Sequence, residues 1–576
     1  MTVEMRPTQL LEVWLAADPD PWTRRAIEDG RGHPAWVHEH FSNVLRFGTA
    51  GLRGATGPGP NRMNRVMARL VARAVGAELI SAGLASRGAV VGFDARPGSQ
   101  DMAVDAARLL AGTGIPTAII DGAAPTPLLA RQLLARSAGA ALMVTASHNP
   151  RGDNGLKAYW ADGTQIRPPL DRLIEARMDL TSLPDDGDLA VRHEVESLDV
   201  RSVIAEYVGA TIRPPTFDSS SEPADPPPDI AQVVYTALCG VGSQTLGHAF
   251  AVAGLPPPLY VEHQRHPDGS FPGLPYPNPE EPGTLDDALA LADEQGADLV
   301  LANDPDADRL AVAVRDRRGK WYRLSGDELG VLLCDWLIGL ASDESQTRPL
   351  ISASSVVSGR MAEALCIARG VEHHRTLTGF KWIMEPRLAH PDARWVFGYE
   401  EALGYSVTDA VLDKDGISAA VEFVRLAGAL AAHGIGPLER LDELVAEVGL
   451  HVTAAASVRA SPEAISSAMA QLRSHPPRTI AGRAVTNVVD WLDPSKPHPA
   501  DLVEVELALA TANGGGHDPE AQVRICIRPS GTEPKAKIYL EAVIPTPGDI
   551  RTDRRHLEAL LDAVAAEMSA SLFAVG

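Results

Sequence analysis

Short apolar runs alternate with stretches of helical periodicity along most of the chain. "GAVVGFDARPGS" reads as a strand and a turn, "MAVDAARLLAGTG" as a helix closed by glycine, and "IPTAIID" as the next strand. "GAALMVTASHNP" repeats the order of strand then polar loop. "PDIAQVVYTALCGVGSQTL" and "GADLVLANDPDADR" each set a glycine-bearing or acidic loop directly behind an apolar run. This alternation predicts an α/β protein. Ligands of open α/β sheets collect outside the carboxyl ends of the strands, so these loops are where chemistry is expected.

The pattern also divides the chain. "RPPTFDSSSEPADPPPD", residues 213–229, is too rich in Pro, Ser and Asp to bury a core and predicts a mobile loop or linker. A boundary is placed just before it, near 210. A second falls near 325, where "KWYRLSGDELGVLLCDWLIGLA" starts a helical pattern, and a third near 446, after "LERLDELVAEVG". The expected segments are 1–210, 211–325, 326–445 and 446–576. The last contains "VRICIRPSGTEPKAKIYLEAVI", two alternating strands around a turn, and a closing helix, "DRRHLEALLDAVAAEMSASL". No repeat of fixed period is visible, although a structural repeat under divergent sequence stays open.

Composition narrows the function. At 576 residues the chain exceeds one hydrophobic core, and 45% hydrophobic with 22% charged residues is ordinary for a globular protein. No apolar run reaches the ~18 residues of a membrane helix. The start, "MTVEMRPTQLLEVW", lacks the order of a signal peptide. A soluble, cytoplasmic protein with no membrane partner is expected. The net charge of -23 argues against nucleic acid as a partner, yet leaves room for a small phosphorylated ligand in a local basic pocket. The four cysteines, Cys239, Cys334, Cys366 and Cys526, show no paired spacing, so they read as buried small hydrophobes.

Three loops carry candidate chemistry. In "LVLANDPDADRLAVAV", Asp304, Asp306 and Asp308 alternate, and in an extended stretch such residues face one way. Convergent carboxylates suit a hard divalent cation. An EF-hand is excluded, because Arg309 and Arg315 stand where glycine and glutamate are required. A solvated acidic turn is the plain alternative, against which Arg309 supplies a cation suited to phosphate. In "RPSGTEPKAK", Arg528, Ser530, Gly531 and Thr532 can grip an anion with a guanidinium, hydroxyls and backbone N–H groups. A simple hairpin turn reads equally well, and no Walker loop occurs. In "TASHNP", Ser147 lies outside any G-x-S-x-G elbow. It is either a helix cap or a phosphoryl acceptor, with His148 as proton acceptor and Lys157 as positive charge.

"TASHNP", "DPDADR" and "RPSGTEP", in this order, resemble the α-D-phosphohexomutase family of phosphoglucomutases and phosphomannomutases, whose longer phosphoglucomutase branch looks nearest. "FGTAGLRG", "VVGFDARPGS", "TLTGFKW", "GYEEALGY" and "DKDGISAA" extend the likeness over nearly the whole chain. The resemblance implies four domains around a central cleft, the first three on related mixed α/β sheets and the last a smaller α+β domain. It implies that Ser147 is phosphorylated, and that Asp304, Asp306 and Asp308 hold Mg2+ with the serine phosphate as a further ligand. Arg528, Ser530, Gly531 and Thr532 would grip the non-reacting phosphate. Glu400 would bind sugar hydroxyls, with Thr378, Gly379 and Lys381 lining the same cleft. Arg53, Arg309, His148, Lys157 and Lys414 would surround the reacting groups, acid and base unassigned among them.

The implied reaction interconverts hexose 1-phosphate and hexose 6-phosphate, glucose first and mannose second, through a bound hexose 1,6-bisphosphate that also serves as activator. The partners are small-molecule sugar phosphates. One departure from the family pattern loosens the sugar: where relatives carry G-E-x-S, this chain reads Tyr399, Glu400, Glu401, Ala402. Pentose 1-phosphates therefore stay open, as does a magnesium-dependent sugar phosphatase. A non-catalytic sugar-phosphate sensor is a third class, disfavoured because Ser147 and all three aspartates are present.

Overall fold

The most apolar runs become strands buried on both faces. Ala89–Phe93, Ala140–Val144 and Leu299–Asn303 are buried at every position, as parallel strands covered by helices require. In the computed structural model the protein is described over residues 5–48, 51–190, 194–214, 232–343, 348–508, 522–530 and 535–573. Most of the segment 213–229 lies outside these. The chain forms two compact units, Met1–Leu324 with Ala402–Ala432, and Ser325–Glu401 with His433–Gly576.

The first unit holds two sheets. Six strands run in the order Leu52–Ala55, Asp153–Trp160, Ala140–Val144, Ala89–Phe93, Thr117–Asp121, Glu196–Asp199. The last four are parallel, and Asp153–Trp160 runs antiparallel to its neighbours on both sides. Helices Ser99–Gly112 and Thr126–Ala135 pack on the central strands. Asp105 on the former accepts from Arg65 and Arg69 of helix Arg65–Ser81 at 2.8 Å, a buried pairing that pins the two helices together. The second sheet runs Trp321–Arg323, Leu310–Arg315, Leu299–Asn303, Val233–Thr236, Leu259–Tyr260. Its last three strands are parallel and its first two antiparallel.

The two sheets therefore share one device. A buried parallel strand ends, a polar loop follows, and the chain returns as an antiparallel neighbour. Ser147 sits in that loop of the first sheet and the three aspartates in that loop of the second. This is the repeat that the divergent sequence hides. Residues 402–432 complete the unit: Tyr159 Oη donates to Asp413 Oδ2 at 2.6 Å, and Tyr207 Oη to Asp415 Oδ2 at 2.6 Å.

The second unit contains parallel strands Glu372–Thr376, Leu350–Ser355 and Arg394–Glu400. It also contains a six-stranded antiparallel sheet ordered Leu450–Arg459, Lys535–Ile544, Gln522–Pro529, Val503–Ala508, Arg483–Asp490, Thr479–Ile480. At its heart the buried Glu541 accepts from Arg360 N–H at 2.6 Å, from Arg524 Nε at 3.1 Å and from Arg360 Nε at 3.1 Å. His451 Nδ1 lies 2.9 Å away. Among the described residues no single helix is long and apolar enough to cross a membrane.

Candidate active site

The loop 145–152 begins where the buried strand Ala140–Val144 runs out. No helix starts there, so "SHNP" is not a cap; the chain turns into strand Asp153–Trp160. Ser147 takes a left-handed backbone, φ 54°, which costs about 1–2 kcal/mol for a residue bearing Cβ. Its surroundings hold it there. Ser147 N–H donates to Thr145 Oγ1 at 2.8 Å, and Thr145 Oγ1 to Asp94 Oδ2 at 2.6 Å. The buried Arg96 donates to the carbonyls of Ser147 (2.6 Å), Asn149 (2.7 Å), Pro150 (2.9 Å) and Asp153 (3.0 Å). "FDARPGS" thus supplies the clamp for the serine loop.

The aspartates converge, but not as an extended stretch. Residues 304–308 form a turn in which Ala307 N–H donates to Asp304 O at 2.8 Å and Ala307 takes φ 55°. The turn brings one carboxylate oxygen of each to within 4.8 Å of the others, all fully buried. The solvated-turn alternative therefore fails. Thr126 fixes the tip, its N–H donating to Asp306 O at 3.0 Å and its hydroxyl to Asp306 Oδ2 at 2.5 Å.

Two lysines neutralise part of this charge. Lys157 Nζ lies 2.6 Å from Asp306 Oδ2 and 2.5 Å from Asp308 Oδ2, and Lys414 Nζ lies 3.0 Å from Asp308 Oδ2. Burial would push Asp306 up, but Lys157 holds its carboxyl well below the ordinary range. Asp304 fares differently: burial, then Asp308 and Asp306, push it up to about 8. Its partner is Ser147, whose Oγ donates to Asp304 Oδ2 at 2.7 Å. Oδ1 of Asp306 and Oδ1 of Asp308 are buried without a hydrogen bond. A carboxyl short of positive charge beside two orphaned acceptor oxygens fits a hard divalent cation.

The remaining cations gather at the same loops. Arg309 N–H donates to Asp304 Oδ1 at 3.0 Å and its guanidinium to Glu280 Oε2 at 3.2 Å. Arg53 donates to Asn149 Oδ1 at 3.1 Å. His148 Nδ1 stands 3.2 Å from Ser147 Oγ. Desolvation, then Arg309 and Arg53, hold its pKa well below the ordinary 6.5, so the ring is neutral at pH 7. Gly416 lets residues 413–416 approach, since a Cβ there would lie 2.2 Å from Arg309 O and 2.6 Å from Asn303 Nδ2.

Ser147, His148, Arg53, Lys157, Arg309, Lys414 and the three aspartates are thus one cluster within the first unit. The other expected residues belong to the second. Glu400 is buried at the end of strand Arg394–Glu400. Its neighbour Glu401 accepts from Ser355 Oγ at 3.0 Å and Ser358 Oγ at 3.1 Å. Thr378 precedes Gly379, which takes φ 107° ahead of the short helix Phe380–Ile383 bearing Lys381. Arg528 lies one residue before the end of strand Gln522–Pro529, and Ser530 N–H donates to Lys535 O at 2.8 Å. Gly531 and Thr532 lie outside the described residues. Sequence reading missed Thr126, Asp94, Arg96 and Glu280. Asp94 and Arg96 sit in a strand-end loop and Thr126 opens the helix that follows another strand, so position behind an apolar run was the available signal.

Three successive stretches of the chain match known domains. Residues 44–183, 208–319 and 325–448 match domains I, II and III, respectively, each described as phosphoglucomutase/phosphomannomutase, alpha/beta/alpha. The chain belongs to the phosphoglucomutase/phosphomannomutase family. A probable phosphomannomutase of Haemophilus influenzae is 38% identical, covering 84% of this chain and 94% of that one. A phosphopentomutase of Mus musculus is 33% identical over 99% of this chain and 95% of its own length. A putative phosphomannomutase of Thermus thermophilus shares the fold, with a TM-score of 0.63, 23% identity, and coverage of 91% of this chain and 98% of that one. The protein is accordingly a phosphomutase of this family, an isomerase, with three α/β domains and a smaller C-terminal α+β domain.

Proposed function

We propose that the protein interconverts hexose 1-phosphate and hexose 6-phosphate, with glucose or mannose as the sugar, through a phosphorylated Ser147 and a hexose 1,6-bisphosphate. The observation that carries this reading is the 2.7 Å contact from Ser147 Oγ to Asp304 in a buried carboxylate cluster. In the first step the Ser147 O–P bond breaks as a bond forms from phosphorus to the free sugar hydroxyl, whose proton passes to a base. The bisphosphate then turns, and Ser147 takes the other phosphoryl group while the proton returns to the sugar oxygen.

Each residue has a part. Arg96 and Thr145 hold Ser147 in its left-handed conformation, so alignment is built before substrate arrives. His148, neutral and 3.2 Å from Ser147 Oγ, would take up and return a proton. Asp304, Asp306 and Asp308 would hold Mg2+, which when bound neutralises charge on the transferring group. Arg53, Arg309 and Lys414 add fixed positive charge around it. In the second unit, Arg528, Ser530, Gly531 and Thr532 would hold the non-reacting phosphate, and Glu400, Thr378, Gly379 and Lys381 the sugar.

A second reading, in which the sugar is a pentose, is favoured by Ala402. Where many relatives carry a serine hydroxyl this chain has the methyl group of Ala402, which offers no donor to the sugar. The mouse phosphopentomutase, alike over 99% of this chain, supports the same reading. An assay across glucose, mannose, glucosamine, ribose and deoxyribose 1-phosphates, with Mg2+ and the matching bisphosphate, separates the two. Isomerisation of the hexoses fastest is the expected outcome. Release of inorganic phosphate faster than any isomerisation contradicts a mutase.

A further inference from the structure

The second unit carries a cluster of different chemistry. Strand Glu372–Thr376 lies at one edge of its three parallel strands. Alternation along it separates the two histidines. His373 turns to the neighbouring strand, with Nδ1 2.8 Å from Ser352 Oγ and Nε2 2.9 Å from Ser354 Oγ. Glu372 and His374 share the opposite face. There they meet His390, which caps the short helix Glu385–Ala389 and is held by its own N–H to Pro386 O at 2.9 Å. Glu372, His374 and His390 each offer a ligand atom within 4.8 Å of the others.

Two details distinguish this cluster from an incidental surface grouping. His374 Nε2 is shielded from solvent and makes no hydrogen bond, although Glu372 Oε1 stands only 3.2 Å away. The nitrogen is within reach of the carboxylate but misaligned with it. Moreover, the rings of His374 and His390 have centroids 5.6 Å apart. Two imidazoles on one tetrahedral ion, with metal–nitrogen distances near 2.0–2.1 Å, set their centroids about 5 Å apart. The rings now lie 28° from parallel, so binding one ion would require them to rotate, which the exposure of Glu372 and His390 permits.

We propose that Glu372, His374 and His390 form a second metal site, which takes a borderline divalent transition metal of the Zn2+ class with water completing its shell. Two imidazoles and one carboxylate select such an ion over Mg2+, whereas the all-oxygen aspartate cluster has the reverse preference. The ion would tie the end of an edge strand to the end of helix Glu385–Ala389. Thr378, Gly379 and Lys381 lie on the chain between these ligands, so occupancy restrains the segment that, on the mutase reading above, contacts the sugar. Metal binding itself does not depend on that reading.

The test is a titration of the full-length, tag-free, chelator-treated protein with Co2+ and then Zn2+ in excess Mg2+, followed by visible absorption and calorimetry. The Asp306→Asn variant serves as a background without a complete aspartate site. One Co2+ with the intense visible bands of low coordination, displaced by Zn2+, is expected in both proteins. His374→Ala and His390→Ala should each weaken Zn2+ binding by about 100-fold or more, and Glu372→Gln by about 10-fold or more. The Glu372, His374 and His390 variants, made with Asp306 intact, should each retain the circular dichroism of the parent and, with Mg2+ but no added Zn2+, its activity. Zn2+ affinity unchanged in both histidine variants, or a site lost only in Asp306→Asn, overturns the proposal. If the site binds as expected while no mutase activity is found, the metal assignment stands and only the restraint on a sugar-binding segment falls.

Discussion

Ser147 Oγ and Asp304 Oδ2 are 157 positions apart in sequence and 2.7 Å apart in the fold. The contact joins the loops of two separate sheets, each just past a parallel strand. It is the reason for reading the serine as a group that shares a cation with the aspartates rather than as a turn residue.

Ser147→Ala removes only the hydroxyl and keeps a side chain that tolerates φ 54° as well as serine does. Turnover should fall by at least about 1,000-fold. The thermal midpoint should stay within a few degrees of the parent. Steady-state kinetics and a melting curve check both halves.

Lys157 is fully buried between Asp306 and Asp308. Lys157→Met leaves two buried carboxylates short of a partner, at roughly 3–5 kcal/mol. Saturating Mg2+ should restore much of that loss, since a cation between the carboxylates replaces the ammonium. Melting curves with Mg2+ and with chelator read the difference. A variant equally unstable in both contradicts a metal site at the aspartates. Asp306→Asn, by contrast, should lose Mg2+-dependent activity.

Gly416→Ala should distort residues 303–309, because its Cβ would lie 2.2 Å from Arg309 O, a backbone atom without room to retreat. We expect a loss of about 1–3 kcal/mol from overpacking together with weakened Mg2+ binding. Calorimetric titration of Mg2+ into the variant measures the latter.

Glu541 is expected to contribute to the acid stability of the second unit. Burial alone would raise its carboxyl, but Arg524, His451 and Arg360 hold it well below the ordinary 4.5. A depressed carboxyl stabilises fully above its unfolded pKa and loses that contribution as pH falls. Stability of this unit should therefore hold above about pH 4.5 and decline below it. Glu541→Gln should cost roughly 3–5 kcal/mol at pH 7 and flatten the acid limb. Urea denaturation at several pH values provides the curve.

Much of this architecture was legible in the residues. The runs "GAALMV" and "DLVLAN" read as strands and fold as strands, and the polar loops behind them gather the candidate residues, because the sheet leaves strand ends as its open rim. What pattern cannot carry is distance. Thr126 caps Asp306 across 180 positions, and Tyr159 fixes Asp413 across 254, and neither pair has a local signature. The aspartate spacing suggested an extended ladder, but Pro305 and the left-handed Ala307 make a turn instead. The carboxylates converge all the same, through backbone curvature rather than strand alternation.

The most direct test of the central claim is peptide-level mass spectrometry of the protein incubated with glucose 1,6-bisphosphate and then chased with glucose 1-phosphate. The account predicts one phosphoryl group on Ser147 that disappears during the chase as bisphosphate forms. An unmodified Ser147, or a stable phosphate on another residue in a fully active enzyme, contradicts it.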